Sequence, residues 1–323
     1  MASLTKLLLR SAASRRRVIS EFSAIIATAG AGMSFTSLAM QKEAFADQID
    51  KTGGNRAQVK RGYGDGLDGL QIHYRYAGAI EYTPTPLLCL HASPLSGILY
   101  DNWLAVMGRD RFTIAPDTPG YGGSDTPAKP PLISDISDAM IAFMDSLRLE
   151  QVDVMGYHTG SITSADLAMR YPDRIRKVIM ISAPIFDQAI IDDYSSRIYN
   201  SPPPFADVLA STAASIRENP RGMFRDVPTD DRYVDISIER LRNYRTSNWG
   251  FRAAFAYNLT ETLPKVRQPI LVLNPEDDLW EQTQQAKSLL RNGRIHDLPG
   301  WTHGHLDSHT DEMAVIVRAF LAE

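Results

Sequence analysis

The sequence lacks several features that mark common classes of protein. Cys89 is the only cysteine among 323 residues, which excludes an internal disulfide and a cysteine-based zinc cluster. No block of basic residues follows the N-terminal segment and the formal net charge is −4, so nucleic acid is not an expected partner. No apolar run is long and uninterrupted enough for a convincing membrane span. With 44% hydrophobic and 22% charged residues, the chain has the balance of a folded globular protein.

Residues 1–46 differ in charge from the rest of the chain. They hold six of the 34 basic side chains but only two of the 38 acidic ones, so residues 47–323 carry 28 basic and 36 acidic groups, a net −8. Three arginines at 15–17 precede a mildly apolar stretch, and Ala44-Phe45-Ala46 is a small-x-small site of the kind that signal peptidase cuts. The segment is similar to a bacterial twin-arginine signal, which predicts a periplasmic or secreted protein. A mitochondrial transit peptide and an uncleaved tail are the alternatives.

The remainder of the chain alternates short apolar runs with helical patterns. A half-buried strand and five buried strands are predicted, at 70–76, 87–90, 112–115, 152–155, 178–181 and 270–273. Apolar residues share one face in two of the helical patterns, Ile136–Leu149 and Asp311–Leu321. Alternation of this kind predicts an α/β fold with a mostly parallel sheet covered by helices on both sides.

One stretch, 185–258, interrupts this alternation. It has no strand-like run, it is rich in aromatic residues, and prolines divide it into short helical pieces. We interpret it as a helical cap inserted between two parts of one core, residues 47–184 and 259–323. The cap is expected to cover the carboxyl ends of the strands, where open parallel sheets bind their ligands.

Four motifs follow the predicted strands in order. They are Leu90-His91-Ala92-Ser93-Pro94, the run from Asp117 to Asp125, Gly156-Tyr157-His158-Thr159-Gly160, and a final pair formed by Pro275–Asp278 and Trp301–His305. Together they resemble the α/β-hydrolase superfamily, in its capped branch with epoxide hydrolases, dehalogenases and esterases. The resemblance implies an α/β-hydrolase fold over about residues 57–323 and activity on a small molecule without a cofactor.

The third motif predicts a sharp strand-to-helix turn. Gly156 and Gly160 stand two residues either side of His158, as a strained turn with close neighbours requires. The superfamily carries Ser, Cys or Asp at the centre of this turn, so His158 departs from its pattern. The resemblance further implies an oxyanion hole made by the backbone N–H groups of Ser93 and Thr159, with His91 as a candidate substrate contact.

The acid and the second histidine are also inferred from the resemblance. The family spacing after the strand is Gly-x-x-Asp, which selects Asp278, with the neighbouring Asp277 as the fallback. The family histidine precedes an aromatic of the last helix by about five turns. His303 lies 17 positions before Phe320, and we prefer it to His305. The predicted catalytic set is therefore His158, Asp278 and His303.

Several chemistries are open to two imidazoles and a carboxylate. Asp278 can orient His303 as the base on water while His158 binds or protonates the reacting oxygen, or His158 can attack an acyl group itself. Hydrolysis of a small or medium, partly apolar ester or lactone is the expectation. A cofactor-free lyase or C–C cleaving enzyme and an inactive ligand-binding member of the fold are the alternatives. A metal site of two histidines and one carboxylate is not expected, because nothing else in the sequence supports it. The sequence does not fix the oligomeric state.

Export gives the first testable prediction. If the signal is recognised and cut after Ala46, N-terminal sequencing of protein purified from its native host begins at Asp47. Recovery of an intact residue 1–46 segment on cytosolic protein contradicts the prediction.

Overall fold

A single mixed sheet organises the part of the chain that the structure describes. The computed structural model describes residues 56–80, 84–197, 202, 204–219 and 221–323, so the predicted signal segment lies outside the described residues. Eight strands are present there, in the order β1-β2-β4-β3-β5-β6-β7-β8. Their bounds are β1 Lys60–Asp65, β2 Gln71–Ala77, β3 Leu87–Leu90, β4 Thr113–Pro116, β5 Val152–Tyr157, β6 Ile175–Ile181, β7 Ile270–Pro275 and β8 Gly293–Leu298.

The sheet is parallel except at one edge. β1 pairs with β2 and β2 with β4 in antiparallel register, whereas the pairs from β4 through β8 are all parallel. The carboxyl ends of β3, β5, β6 and β7 therefore lie along one rim of the sheet. The prediction of an α/β fold with a mostly parallel sheet is confirmed.

Alternate residues of the central strands contribute to two separate cores. In β3, Leu88 and Leu90 belong to one apolar cluster, and Leu87 and Cys89 belong to the other. This is the alternation that a strand buried on both faces requires, since successive side chains point to opposite sides. Every residue of β3, β5 and β7 is buried, which explains why these strands were the most visible in the sequence.

Helices cover both faces of the sheet. The described helices are α1 Asp101–Met107, α2 Ile133–Ser146, α3 Thr159–Arg170, α4 Gln188–Arg197, α5 Phe205–Glu218, α6 Asp230–Arg242, α7 Trp249–Phe255, α8 Leu259–Thr262, α9 Trp280–Gln285, α10 His305–Ser308 and α11 Thr310–Ala322. The predicted helices correspond to α2, which begins and ends three residues earlier than expected, and to α11. Among the described residues, no helix is long and apolar enough to cross a bilayer.

The described residues between β6 and β7 contain helices and no strand. Helices α4 to α7 lie in this interval, which is the predicted cap, 185–258. Residues of α4 and α7, among them Tyr194 and Phe255, line a cleft together with Phe186, which precedes α4, and with His158 and Asp278, which follow β5 and β7. The insertion therefore covers the rim of the sheet where the sequence motifs converge.

Candidate active site

The turn after β5 holds His158 in a conformation that side chains other than glycine seldom adopt. Its φ is 49° and its ψ is −107°, which costs about 1–3 kcal/mol for a residue with a Cβ. A Cβ added to Gly156 would lie 2.1 Å from the Gly160 carbonyl oxygen, and one added to Gly160 would lie 2.0 Å from the Leu90 oxygen. Both glycines are therefore required, because the turn brings backbone within contact distance on both sides of His158.

Ser161 stabilises this turn through hydrogen bonds to the backbone. Its hydroxyl donates to the Gly156 and Ile181 carbonyl oxygens, each at 2.9 Å, and the residue is completely buried. The backbone N–H of His158 also donates to Ile181, at 3.0 Å. Ser161 is thus a structural brace, and its hydroxyl is not available to attack a substrate.

The His158 ring is bound by a buried carboxylate. Its Nε2 lies 2.8 Å from Oδ2 of Asp277, whose side chain is fully buried. The same oxygen accepts a hydrogen bond from the Ser182 hydroxyl at 2.7 Å, and Oδ1 accepts one from the backbone N–H of Leu279 at 2.8 Å. Three donors from three different segments therefore fix the carboxylate that orients His158.

The electrostatics of this pair favour a charged imidazole. Burial alone would lower the pKa of His158, but the Asp277 charge and hydrogen bond, with a smaller effect from Asp278, raise the pKa above its ordinary value of 6.5. Burial alone would likewise raise the pKa of Asp277. The His158 charge and the hydrogen bonds from His158 and Ser182 outweigh that effect and hold the Asp277 pKa well below its usual range. The pair therefore favours an imidazolium bound to a carboxylate.

A second pair lies beside the first. Nε2 of His303 is 2.8 Å from Oδ1 of Asp278, and the His303 and His158 rings are 5.4 Å apart between centroids. Burial raises the pKa of Asp278, but the His303 hydrogen bond and the charges of His158 and His303 bring it below the ordinary value. The structure therefore brings together all three residues of the predicted catalytic set, in two imidazole–carboxylate pairs.

His305, the alternative to His303, lies in the core instead. The residue is fully buried, its Nδ1 lies 2.6 Å from the Thr302 carbonyl oxygen, and its ring packs edge-on against Tyr157. Burial lowers the pKa of His305 from 6.5 to about 4. His305 thus stays neutral near pH 7 and has no contact with either carboxylate pair.

The cleft above the pairs is polar at its base and apolar on its walls. Ser93, His158, Thr159 and Asp278 line the polar end, whereas His303 lies behind Asp278 with a side chain that is only 10% exposed. The remaining lining residues are Ile162, Pro184, Phe186, Ile190, Tyr194, Phe251, Ala254, Phe255, Leu279 and Gln282. The cleft contains about 730 Å³ of empty space, part of it open to solvent. Thr159 is the first residue of α3, so its backbone N–H has no acceptor within the helix.

His91 is the one predicted site residue that neither lines this cleft nor pairs with a residue that does. It is buried, its Nε2 accepts the Thr118 N–H at 2.9 Å, and its Nδ1 lies 3.1 Å from the Ala92 carbonyl oxygen. Because the Thr118 bond makes Nε2 an acceptor, Nδ1 carries the proton and both ring nitrogens are occupied by backbone. We correct the expectation of a substrate contact accordingly and assign His91 to the support of the loop before Ser93.

The two pairs also form the one cluster among the described residues with several potential metal ligands. One ligand atom each from His158, Asp277, Asp278 and His303 lies within 4.8 Å of all the others. A set of two imidazoles and two carboxylates suits a first-row divalent metal. Each imidazole is already 2.8 Å from a carboxylate oxygen, however, which is the separation of a hydrogen-bonded ion pair.

Comparison with known proteins agrees with this fold. A family model described as the alpha/beta hydrolase family matches residues 87–316, a segment that contains all four motifs that follow the predicted strands. The chain belongs to the alpha/beta hydrolase family. It is an enzyme of the hydrolase class, and the sequence-based assignment to this superfamily is confirmed.

Individual relatives of this hydrolase are distant. It is 26% identical over 175 residues to a 2-hydroxymuconate semialdehyde hydrolase of Pseudomonas sp. strain CF600, a match that covers 53% of this chain and 57% of that protein. It is 27% identical over 266 residues to a serine hydrolase of Mus musculus, covering 79% and 84% of the two chains. The enol-lactonase of Burkholderia xenovorans LB400 shares its fold, with a TM-score of 0.68, 19% identity, and coverage of 81% of this chain and all of that one.

The pairing of Asp277 with His158 in this hydrolase was not predicted from the sequence. Asp277 was only the fallback for the acid, yet its carboxylate is the one that contacts His158. Two adjacent acidic residues after β7 could have indicated this role, because two neighbouring carboxylates whose side chains diverge can each bind a different histidine. Ser182 was not identified at all, because a lone serine after a strand carries no recognisable pattern.

The charge of Asp277 gives a prediction for its partner. Replacing Asp277 with Asn removes the largest influence that raises the pKa of His158 while keeping a side chain of similar size. The effect of burial then dominates, and we expect the His158 pKa, measured by NMR titration of the histidine rings, to fall below 6.5. Asp173→Asn, an exposed residue remote from the site, is the control and should leave the titration unchanged. An unchanged His158 pKa in Asp277→Asn contradicts the assignment.

Proposed function

We propose that the protein hydrolyses a small or medium, partly apolar ester or lactone, with water as the nucleophile and no serine. The observation that carries the proposal is the His158 ring at the centre of the turn, 2.8 Å from a buried carboxylate and at the base of an apolar cleft. Where related enzymes carry a nucleophile, this chain carries an imidazole whose protonated form the neighbouring carboxylates favour.

The walls of the cleft support a substrate with an apolar or aromatic part. Phe186 and Tyr194 each lie 5.0 Å from the Phe255 ring between centroids, forming an aromatic surface on the cap side. The fold shared with an enol-lactonase, together with the distant likeness to a semialdehyde hydrolase, favours cleavage next to a carbonyl group.

In this scheme the Asp278–His303 pair acts as the base. Water in the cleft gives a proton to the pair and adds through its oxygen to the substrate carbonyl carbon, while the negative charge that develops moves to the carbonyl oxygen. Nδ1 of His303, the ring nitrogen not bound to Asp278, takes up the proton, and Asp278 stabilises the imidazolium that forms. The geometry fits the pair better than either residue alone, since Asp278 lines the cleft and His303 contacts it from behind.

His158 supplies positive charge to the reacting oxygen. With Nε2 bound to Asp277, its Nδ1–H is the donor left for the substrate, next to the backbone N–H of Thr159 and that of Ser93. These three donors would stabilise the tetrahedral oxyanion. When the intermediate collapses, the C–O bond to the leaving alkoxide breaks and the alkoxide takes a proton from His158. The carboxylic acid that forms then ionises. Of its proton and the one held by His303, one returns to His158 and the other goes to solvent, which leaves a carboxylate and an alcohol, or one hydroxy carboxylate from a lactone.

The test is an ester and lactone panel assayed with and without an organophosphate. We expect hydrolysis that resists the reagent, because no serine hydroxyl among the described residues is hydrogen-bonded to a histidine ring that could activate it. His158→Gln should lower kcat/KM by at least about 100-fold, the usual contribution of an acid–base residue. His309→Gln is the matched control, since His309 stacks on Trp301 outside the cleft and should leave kcat/KM unchanged.

Two outcomes would contradict this scheme in different ways. Organophosphate inactivation with a labelled Ser93 would assign the nucleophile to a serine outside the turn. Loss of activity in EDTA, with recovery on addition of Zn²⁺, would instead assign the four-residue cluster to a metal ion and replace the proton-transfer scheme.

The raised pKa of His158 fixes the sign of the pH dependence. His158 must be protonated to donate to the oxyanion, and its pKa lies above 6.5, so kcat/KM should decline as the pH rises through that higher value. In Asp277→Asn the decline should move to lower pH. Measurement of kcat/KM from pH 5 to 10 decides the point, because a neutral His158 acting as nucleophile would make kcat/KM increase over the same range.

A further inference from the structure

One carboxylate of the cap contacts the loop that carries His303 at several points. Asp226 lies between β6 and β7, just before α6, and is partly buried. Its Oδ1 accepts hydrogen bonds from the Thr302 hydroxyl and from the Gly304 N–H, the latter at 2.9 Å. Its Oδ2 accepts the Thr302 N–H at 3.2 Å and the Ser308 hydroxyl at 3.3 Å. The two backbone donors belong to the residues immediately before and after His303.

The loop at residues 302–304 leaves space for the Asp226 carboxylate because residue 304 is a glycine. A Cβ on Gly304 would lie 2.4 Å from Oδ1 of Asp226 and 2.8 Å from the Val227 nitrogen, so any other residue at 304 would displace the cap segment. The ring of Phe224, two residues before Asp226, packs edge-on against His303 with centroids 5.7 Å apart. The cap therefore contacts His303 through a ring and its neighbours through a carboxylate.

The hydrogen bonds to Asp226 depend on its charge. Burial would raise the pKa of this carboxyl group, but the bonds from Thr302 and Gly304 outweigh burial and hold the pKa below its ordinary value. Hydrogen bonds to an ionised acceptor are about twice as strong as those between neutral groups. An ion pair between Arg232 of α6 and Asp307 of α10, at 3.0 Å, also holds this part of the cap beside the 302–304 loop.

We propose that Asp226 is a positioning residue: it fixes the 302–304 loop so that His303 meets Asp278, and so makes the base depend on the cap. The inference rests on the proposed role of the Asp278–His303 pair. Asp226 itself is neither a lining residue of the cleft nor a partner of the reacting groups. Its influence passes through the backbone on either side of His303.

The test is Asp226→Asn, which keeps the size of the side chain and removes one acceptor. An amide has a single acceptor oxygen, so in either orientation its NH₂ group faces the N–H of Thr302 or of Gly304. Since small displacements of a reacting group are costly, we expect kcat to fall about tenfold or more with KM changed less than about twofold. The ring ¹⁵N chemical shifts of His303 should also move, reporting a weakened hydrogen bond to Asp278.

Two further variants make the test decisive. Thr302→Val removes one donor to Asp226 at constant shape and should change kcat and the His303 shifts in the same direction, but less. Asp231→Asn, an exposed acid in the same segment, should change neither. Unchanged His303 shifts in folded Asp226→Asn overturn the inference. Because these shifts need no substrate, a protein inactive on every ester and lactone would refute the proposed function while still testing Asp226.

Discussion

The site depends on one buried carboxylate, that of Asp277. It accepts hydrogen bonds from His158 after β5, from Ser182 after β6 and from the backbone of Leu279 after β7. A buried carboxylate with three donors is difficult to protonate, so its negative charge persists and favours the protonated form of His158. The same contacts connect the ends of three neighbouring strands. The orientation and charge of the His158 ring are therefore determined by residues at the ends of three strands, and not by the turn alone.

Much of this arrangement could be predicted from the sequence because the central strands leave a strong pattern. β3, β5 and β7 are buried throughout and mostly apolar, and the glycines at 156 and 160 allow the close backbone approach of a strand-to-helix turn. The edge strand β1 was missed. Its sequence, Lys-Arg-Gly-Tyr-Gly-Asp, contains two glycines and three charges, and most of it is exposed, so no apolar alternation marks it.

The partners within the site were harder to predict for a geometric reason. Asp277 and Asp278 are adjacent in sequence, and spacing alone cannot tell which imidazole each carboxylate meets. Asp226 is 76 residues from Thr302, and its position in the cap gives no sign that it contacts the loop around His303. His91 follows a strand as a substrate contact would, but its surroundings bind both ring nitrogens. Such pairings arise from tertiary structure and leave no local pattern.

In the turn at residue 158, the residues that fix the backbone conformation are different from the residue whose side chain faces the cleft. Its flanking glycines admit no side chain, and the Ser161 hydroxyl secures the turn without involving the residue at its apex. The backbone geometry is thus indifferent to which side chain the apex presents, provided that residue tolerates a positive φ. Reaction type can then change during evolution at a single position while the scaffold is preserved. In such a fold, the glycine motif around the apex indicates family membership. The apex residue and its carboxylate partner are the better guide to the reaction that the protein catalyses.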